Sequence, residues 1–201
     1  MSQPPTADPV RVVETRKNRV FVYADRVQKT FKSVRHSERH ARREVAALRR
    51  LAGLEGVPVV LEYGPDRMSL VLSRVPGKPL SECESVAEHT LVSLRRLIEQ
   101  MLQRGVARHS LPPRDVLVRS DGSVGLVDFE RSTRRLFPGD PLWLVAKAVT
   151  RFHLLRLVDE HAPQLLTPRE RRRLRRLEAF RSVLQPPAKL KRRVLRRVFG
   201  R

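Results

Sequence analysis

Asp115 and Asp128 stand at the two ends of a stretch that reads as a β-hairpin. From Ser110 to Glu130 the chain runs through a proline-stiffened loop, a short apolar run (Val116 to Val118), an Asp-Gly turn (Asp121, Gly122) and a second apolar run (Val124 to Val127), closed by Asp128-Phe129-Glu130. Asp-Gly between apolar runs is a strong short-range hairpin signal. A hairpin returns to its starting side, so Asp115, which enters the first strand, and Asp128, which leaves the second, meet at one mouth. Two carboxylates there repel each other unless a cation lies between them, and oxygen ligands of this kind suit a hard divalent metal. Each aspartate taken singly also reads as a turn or cap residue; the pairing is what points to metal.

A lysine and a glutamate earlier in the chain have the right types to join such a site. Val27-Gln28-Lys29-Thr30-Phe31 alternates as a half-buried strand does, with Val27, Lys29 and Phe31 on one face. A lysine between two apolar neighbours is either a snorkelling edge residue or a cation kept for a buried anion. His36 to Leu51 has helical spacing, with Ala41, Val45, Leu48 and Leu51 on a common stripe. Glu44 lies in that helix, where on its own it reads as an exposed carboxylate balancing nearby arginines.

The hairpin segment resembles the catalytic loop and metal loop of protein-kinase-like phosphotransferases. In those a catalytic Asp is followed five residues later by a metal-holding Asn, then by a hairpin that ends in a metal-binding Asp. Asp128-Phe129-Glu130 is similar to the metal loop of small bacterial lipopolysaccharide kinases. Ser110-Leu111-Pro112-Pro113-Arg114-Asp115 is similar to the Ser-Leu-x-Pro-x-Asn loop of the PhoP regulatory network protein family, the group this chain most resembles. The resemblance implies ATP and Mg²⁺ as cofactors, Lys29 and Glu44 paired on the nucleotide phosphates, Asp115 and Asp128 on the metal, and the backbone near Ser73 to Val75 on adenine.

Three departures accompany it. Ser110 stands where the general base belongs, and serine does not accept a proton at neutral pH; a positioned base contributes roughly 10²- to 10⁴-fold. His109 beside it could serve instead. Asp115 replaces Asn, a mild change, because a carboxylate binds Mg²⁺ at least as well as an amide oxygen. No glycine occurs before Gly53, whereas kinase-like folds cover the phosphates with a glycine-rich loop whose amides approach the anion unobstructed. Phosphate binding therefore falls to Lys29, to metal and to Arg16, Lys17 or Arg19 in the first turn.

The elements that must position these residues follow from the patterning. The 201 residues, 40% of them hydrophobic, suffice for one domain or a small bilobal one. Residues 1–9 read as a flexible tail. An N-lobe over 10–75 holds strands at Val10–Val13, Arg19–Ala24 and Val27–Phe31, the Glu44 helix, and antiparallel strands at Val57–Gly64 and Met68–Val75. A hinge at Pro76–Leu80 opens a C-lobe over 76–166, with helices at Val86–Gln103 and Pro141–Glu160 around the hairpin, and a basic helical tail covers 167–201. The expected fold class is α+β, protein-kinase-like and two-lobed, with a small antiparallel β N-lobe and a helical C-lobe.

Charge sets the expected partners. The formal charge is +21; arginine-rich codon usage would spread such an excess evenly, but Thr167 to Arg201 carries 14 basic and 2 acidic residues. Near the end, Leu190, Val194, Leu195, Val198 and Phe199 fall on one helical face. Lys189, Lys191, Arg192, Arg193, Arg196 and Arg197 surround it, a pattern that suits an anionic membrane surface or lipopolysaccharide. The same helix could dock on its own core. Nucleic acid fits less well, because the tail lacks interleaved aromatic residues for base stacking. With no apolar run near 18 residues, no signal peptide and a single cysteine, Cys83, the expected location is the bacterial cytoplasm, peripheral at the inner membrane. Three readings result: an ATP- and Mg²⁺-dependent phosphotransferase acting on a lipopolysaccharide sugar or another anionic acceptor, a pseudokinase scaffold lacking its base, or a basic nucleic-acid-binding protein.

Overall fold

The computed structural model describes residues 8–33 and 36–184. The chain divides into two compact units, Met1–Leu154 and Leu155–Arg201.

The first unit is built on a five-stranded antiparallel sheet. Its strands are β1 (Arg11–Glu14), β2 (Asn18–Val22), β3 (Arg26–Phe31), β4 (Val60–Tyr63) and β5 (Ser69–Ser73), in the order β1-β2-β3-β5-β4. The alternation of β3 places Phe31 in the core at 3% exposure and Lys29 on the same face. β3 is the central strand, so Lys29 is paired on both sides, with Val20 in β2 and Leu70 in β5. A residue so placed has little freedom to shift.

Helix α1 (Ser37–Arg50) follows β3 and turns Ala41, Val45 and Leu48 inward, as the stripe at helical spacing requires. Its C-terminal end is fastened by arginines. Arg50 donates through Nε to the Arg104 carbonyl (2.7 Å) and through Nη1 to the Arg135 carbonyl (2.8 Å), while Arg104 Nη1 donates to the carbonyls of Leu51 (3.1 Å) and Ala52 (2.6 Å). A cation on the last carbonyls also suits the negative end of the helix dipole. Beyond the helix, Gly56 (φ +81°) lies so close to the hairpin that a Cβ there would meet the Val124 carbonyl oxygen at 2.6 Å, and the Gly56 carbonyl accepts from Leu126 N–H at 2.7 Å.

Helix α2 (Glu88–Gln103) buries Leu91, Leu94, Leu97, Ile98 and Met101 on one face. Beyond β6 (Lys78–Pro79) and β7 (Val106–Arg108) come the hairpin strands β8 (Val116–Val118) and β9 (Val124–Leu126), then β10 (Ser132–Arg134). They form a three-stranded sheet β6-β8-β9 and a two-stranded pair β10-β7. The expected hinge at Pro76–Leu80 thus contains a strand, paired with β8 through Lys78↔Val118. The pair β7-β10 was not legible in the sequence. The hairpin itself forms as expected, with Asp121 and Gly122 inside a five-residue connection. Arg119 N–H donates to the Ser123 carbonyl (2.9 Å), and Gly122 takes the left-handed conformation (φ +76°).

Helix α3 (Pro141–His161) starts in the first unit and runs into the second. In the second unit α4 (Pro168–Leu184) begins with a reciprocal cap. Glu170 N–H donates to Thr167 Oγ1 (3.2 Å) and Thr167 N–H to Glu170 Oε2 (2.9 Å). Lys189, Lys191, Arg192, Arg193, Arg196 and Arg197 lie outside the described residues, as do residues 1–7. The architecture is mixed α+β, with antiparallel sheets and helices.

Candidate functional site

Lys29 is the hub of the site. Its Nζ donates to Glu44 Oε2 at 2.7 Å and to Asp128 Oδ1 at 3.1 Å, and lies 4.0 Å from Glu130 Oε2. The strand therefore presents a cation reserved for buried anions, not a snorkelling edge lysine. Glu44 is 1% exposed rather than solvated, and both of its oxygens are used, since Oε1 accepts from Phe129 N–H at 3.2 Å. One glutamate on α1 thus holds the lysine of β3 and the segment after β9 together. Phe129, fully buried, anchors that segment.

The electrostatics follow from the crowding. Burial alone would lower the affinity of the Lys29 ammonium for its proton, but the attraction of Glu44, Asp128 and Glu130 outweighs it and holds the ammonium above its ordinary pKa. Glu44 leans the other way. Burial pushes its carboxyl up, and Lys29 only partly offsets this, because Glu44 has one cation to face and a second carboxylate, Asp128, nearby. Asp128 is also subject to burial, but Lys29 and Arg108 hold it below the ordinary carboxylate range. Its side chain is 42% exposed, so it is the open edge of the cluster. Asp128 takes φ +64°, a left-handed conformation that costs a non-glycine residue roughly 1–2 kcal/mol.

The hairpin brings Asp115 to the same mouth, where its carbonyl accepts from Val127 N–H at 3.0 Å. Its carboxylate, however, already has a cation. Arg108 Nη2 donates to Asp115 Oδ2 at 2.7 Å, and Arg114 Nε stands 3.7 Å from Oδ1. Arg108 is 2% exposed, lies over the Phe129 ring at 5.2 Å, and is fixed by Thr150, whose Oγ1 accepts its N–H and donates to its carbonyl. Burial pushes the Arg108 guanidinium down, against the pull of Asp115; burial likewise pushes Asp115 up, against Arg108. Arg108 Nη1 is buried without a hydrogen-bond partner.

The two candidate bases are less central. His109 Nε2 is hydrogen-bonded to Thr133 Oγ1 at 2.8 Å, and burial, then Arg131 and Arg43, lowers its pKa. That lowering favours the neutral imidazole, the form a base needs. Ser110 is half-buried beside it.

The first turn resolves how a chain without a glycine-rich loop closes this end of the sheet. Thr15 Oγ1 accepts from the N–H groups of Lys17 (3.2 Å) and Asn18 (3.0 Å), so the amides that a phosphate would need are spent inside the turn. Its side chains reach the Asp-Phe-Glu segment instead. Asn18 Nδ2 donates to Glu130 Oε2 at 3.3 Å, and Lys17 Nζ lies 3.6 Å from Glu130 Oε1. In the stretch that the resemblance places on adenine, the Ser73 and Arg74 amides donate to the carbonyls of Val59 and Asp25.

The site thus gathers Lys29, Glu44 and Asp128 around one ammonium and adds Glu130, Asn18 and Arg108, which sequence reasoning did not assign; Lys17, expected on phosphate, faces Glu130 instead. Around Lys29 three carboxylates, Glu44, Asp128 and Glu130, face the Lys29 and Lys17 ammonium groups, and Arg108 also acts on Asp128. Among the described residues no three His, Cys, Asp or Glu side chains converge as a metal cage. That is compatible with Mg²⁺, which usually takes one or two carboxylates and completes its shell with water and substrate phosphates.

No protein-family model matches the chain, and no curated protein does. Among solved structures, monomeric WbdD matches with a TM-score of 0.55 at 22% identity over 76% of this chain and 38% of that one. A structure of the bifunctional kinase-methyltransferase WbdD matches with a TM-score of 0.54 at 20% identity, over 80% and 47% of the two chains. WbdD with a kinase inhibitor matches at 0.51 and 22% identity, over 64% and 34%. The likeness is one of fold. The chain spans less than half the length of these structures, and at such identity shared architecture does not by itself carry activity.

Proposed function

We propose that this chain is a two-lobed, kinase-like phosphotransferase core that binds ATP with Mg²⁺. The observation that carries the reading is the Lys29–Glu44 pair with Asp128 on the same ammonium: a strand lysine, a helix glutamate and the aspartate after the hairpin, in kinase order. A purely structural salt bridge needs no third, solvent-open carboxylate. Lys29 and Asp128 would hold the nucleotide phosphates and metal, and Mg²⁺ when bound supplies charge neutralisation for phosphoryl transfer. Likeness in fold to part of a bifunctional kinase-methyltransferase supports this reading, and the family resemblance supplies a lipopolysaccharide sugar or another anionic acceptor at the inner membrane face.

A second reading, a nucleotide-binding pseudokinase, is favoured by Ser110 and by the Arg108 guanidinium on Asp115, which occupies the second carboxylate with a fixed cation. One experiment serves both. Thermal denaturation with ATP, with and without Mg²⁺, is compared for wild type and Asp128→Asn, a residue that tolerates the left-handed backbone. Ligand at about 100 times its Kd should stabilise by roughly 2.7 kcal/mol. Mg²⁺-dependent stabilisation of the wild type that is lost in the variant supports a nucleotide site. Transfer of terminal phosphate to an added lipopolysaccharide then distinguishes kinase from scaffold. No response of the wild type to nucleotide removes both readings.

A further inference from the structure

The loop and helix start from Leu136 to Val145 present an apolar surface that the nucleotide site does not use. Of the ten exposed large hydrophobic side chains among the described residues, five fall in this one segment: Leu136 (75%), Phe137 (54%), Leu142 (75%), Leu144 (49%) and Val145 (64%). Isolated exposed leucines are ordinary; a contiguous patch is not.

The first turns of α3 are inverted relative to a normal surface helix. Trp143, Ala146 and Thr150 face inward, while the outward side carries Pro141, Leu142, Leu144, Val145 and Ala148, with no polar side chain among them. A helix segment that is apolar on two opposite sides is expected to be covered on both. The loop before it is held in register with the helix by Asp140. Asp140 Oδ2 accepts from Leu136 N–H (3.1 Å), and Oδ1 accepts from Leu142 N–H (3.1 Å) and Trp143 N–H (3.2 Å). Leu136 and Phe137 are thereby fixed beside the first helical turn, which gives a preformed wedge.

The rim identifies what covers it. Arg135 and Lys147 flank the patch, over the Trp143 ring at 5.2 and 4.9 Å. From Arg131 to Val158 the only acidic residue is Asp140, already buried on backbone amides. A partner must therefore be apolar at its centre and anionic at its edge. A second copy of the chain fails that requirement, since each copy carries +21 and presents the same positive rim. No described helix is long and apolar enough to cross a membrane, so the surface would lie on a bilayer rather than in it.

We propose that the Leu136–Val145 wedge docks on an anionic lipid surface, with Leu136, Phe137, Leu142 and Val145 in the head-group boundary and Arg135 and Lys147 on lipid phosphates. The proposal is independent of phosphoryl transfer. It is tested with the full chain by co-sedimentation with vesicles of phosphatidylcholine alone or mixed with phosphatidylglycerol. Three proteins are compared: wild type, the double variant Leu142→Ser with Val145→Ser, and Val92→Ser, an exposed apolar residue elsewhere. Because the substituted side chains are exposed, the fold is retained, which circular dichroism checks. The expected result is binding of wild type and Val92→Ser to the anionic vesicles, with the double variant needing about tenfold more lipid or beyond. Equal binding of all three would place membrane attachment on charge outside this wedge and overturn the proposal. So would absence of wild-type binding, or a wild-type dimer that the double variant dissolves, which would make the patch a self-association face.

Discussion

Replacing Lys29 with methionine tests the site at its hub. The substitution keeps most of the apolar stem and removes the ammonium, leaving Glu44, fully enclosed, and Glu130, nearly so, without the cation they share. Removing one partner of a buried ion pair costs about 3–5 kcal/mol. The Asp128 contact adds little, because a side chain exposed to that extent is screened by solvent. For a chain of this size each kcal/mol moves Tm by about 2–4 °C, so Lys29→Met should lower Tm by roughly 6–20 °C. The assay is urea unfolding followed by circular dichroism, run on Lys29→Met, on Glu44→Leu and on the double variant. Because an apolar pair of similar volume often replaces a buried salt bridge at no cost, the double variant should be more stable than either single. The loss in Lys29→Met should also shrink as pH falls, since Glu44, already pushed up by burial, then takes a proton and needs no partner. A loss below about 0.5 kcal/mol in Lys29→Met, or a double variant equal to the sum of the singles, would refute a coupled buried pair.

Arg108→Met should cost about 3–5 kcal/mol by stranding Asp115, and a second substitution, Asp115→Leu, should recover much of it; urea midpoints check both. His109 supplies a pH signature. Its folded pKa lies below the unfolded 6.5, so the unfolded state binds protons first as pH falls. The stability it supports is full above 6.5 and is lost as pH drops through the lowered folded value. In His109→Gln that part of the Tm-versus-pH slope should vanish, and an unchanged slope would show that His109 does not titrate as its surroundings require.

Much of the site was legible because it rests on short-period patterns. Alternation in Val27 to Phe31 put Lys29 on the inner face, and the Ala41, Val45, Leu48 stripe oriented the helix that carries Glu44. The hairpin signal brought Asp115 and Asp128 to one end. What the sequence concealed depends on contacts without periodicity. Arg108 ends a three-residue strand whose partner, β10, lies across the hairpin, and nothing local distinguishes it from the other arginines of a strongly basic chain. Glu130 is informative only through Asn18, Lys17 and Lys29, a hundred or more residues earlier. The first turn misled for a physical reason. Composition marks its missing glycines, but not that Thr15 turns the free amides back on themselves.

The fastening of α1 at one end makes it a lever. Arg50 and Arg104 pin its last turn to carbonyls of the loops around it, and the close approach of Gly56 to β9 leaves no slack just beyond. Glu44 sits six residues from that fulcrum, about 9 Å along the axis. A tilt of roughly 10° about Arg50 would carry the carboxylate on the order of 1.5 Å, enough to stretch a 2.7 Å contact with Lys29 past hydrogen-bond range. The same tilt would draw Oε1 away from Phe129 N–H. A small angular displacement of α1 away from β3 would therefore stretch both contacts together, because one carboxylate makes both.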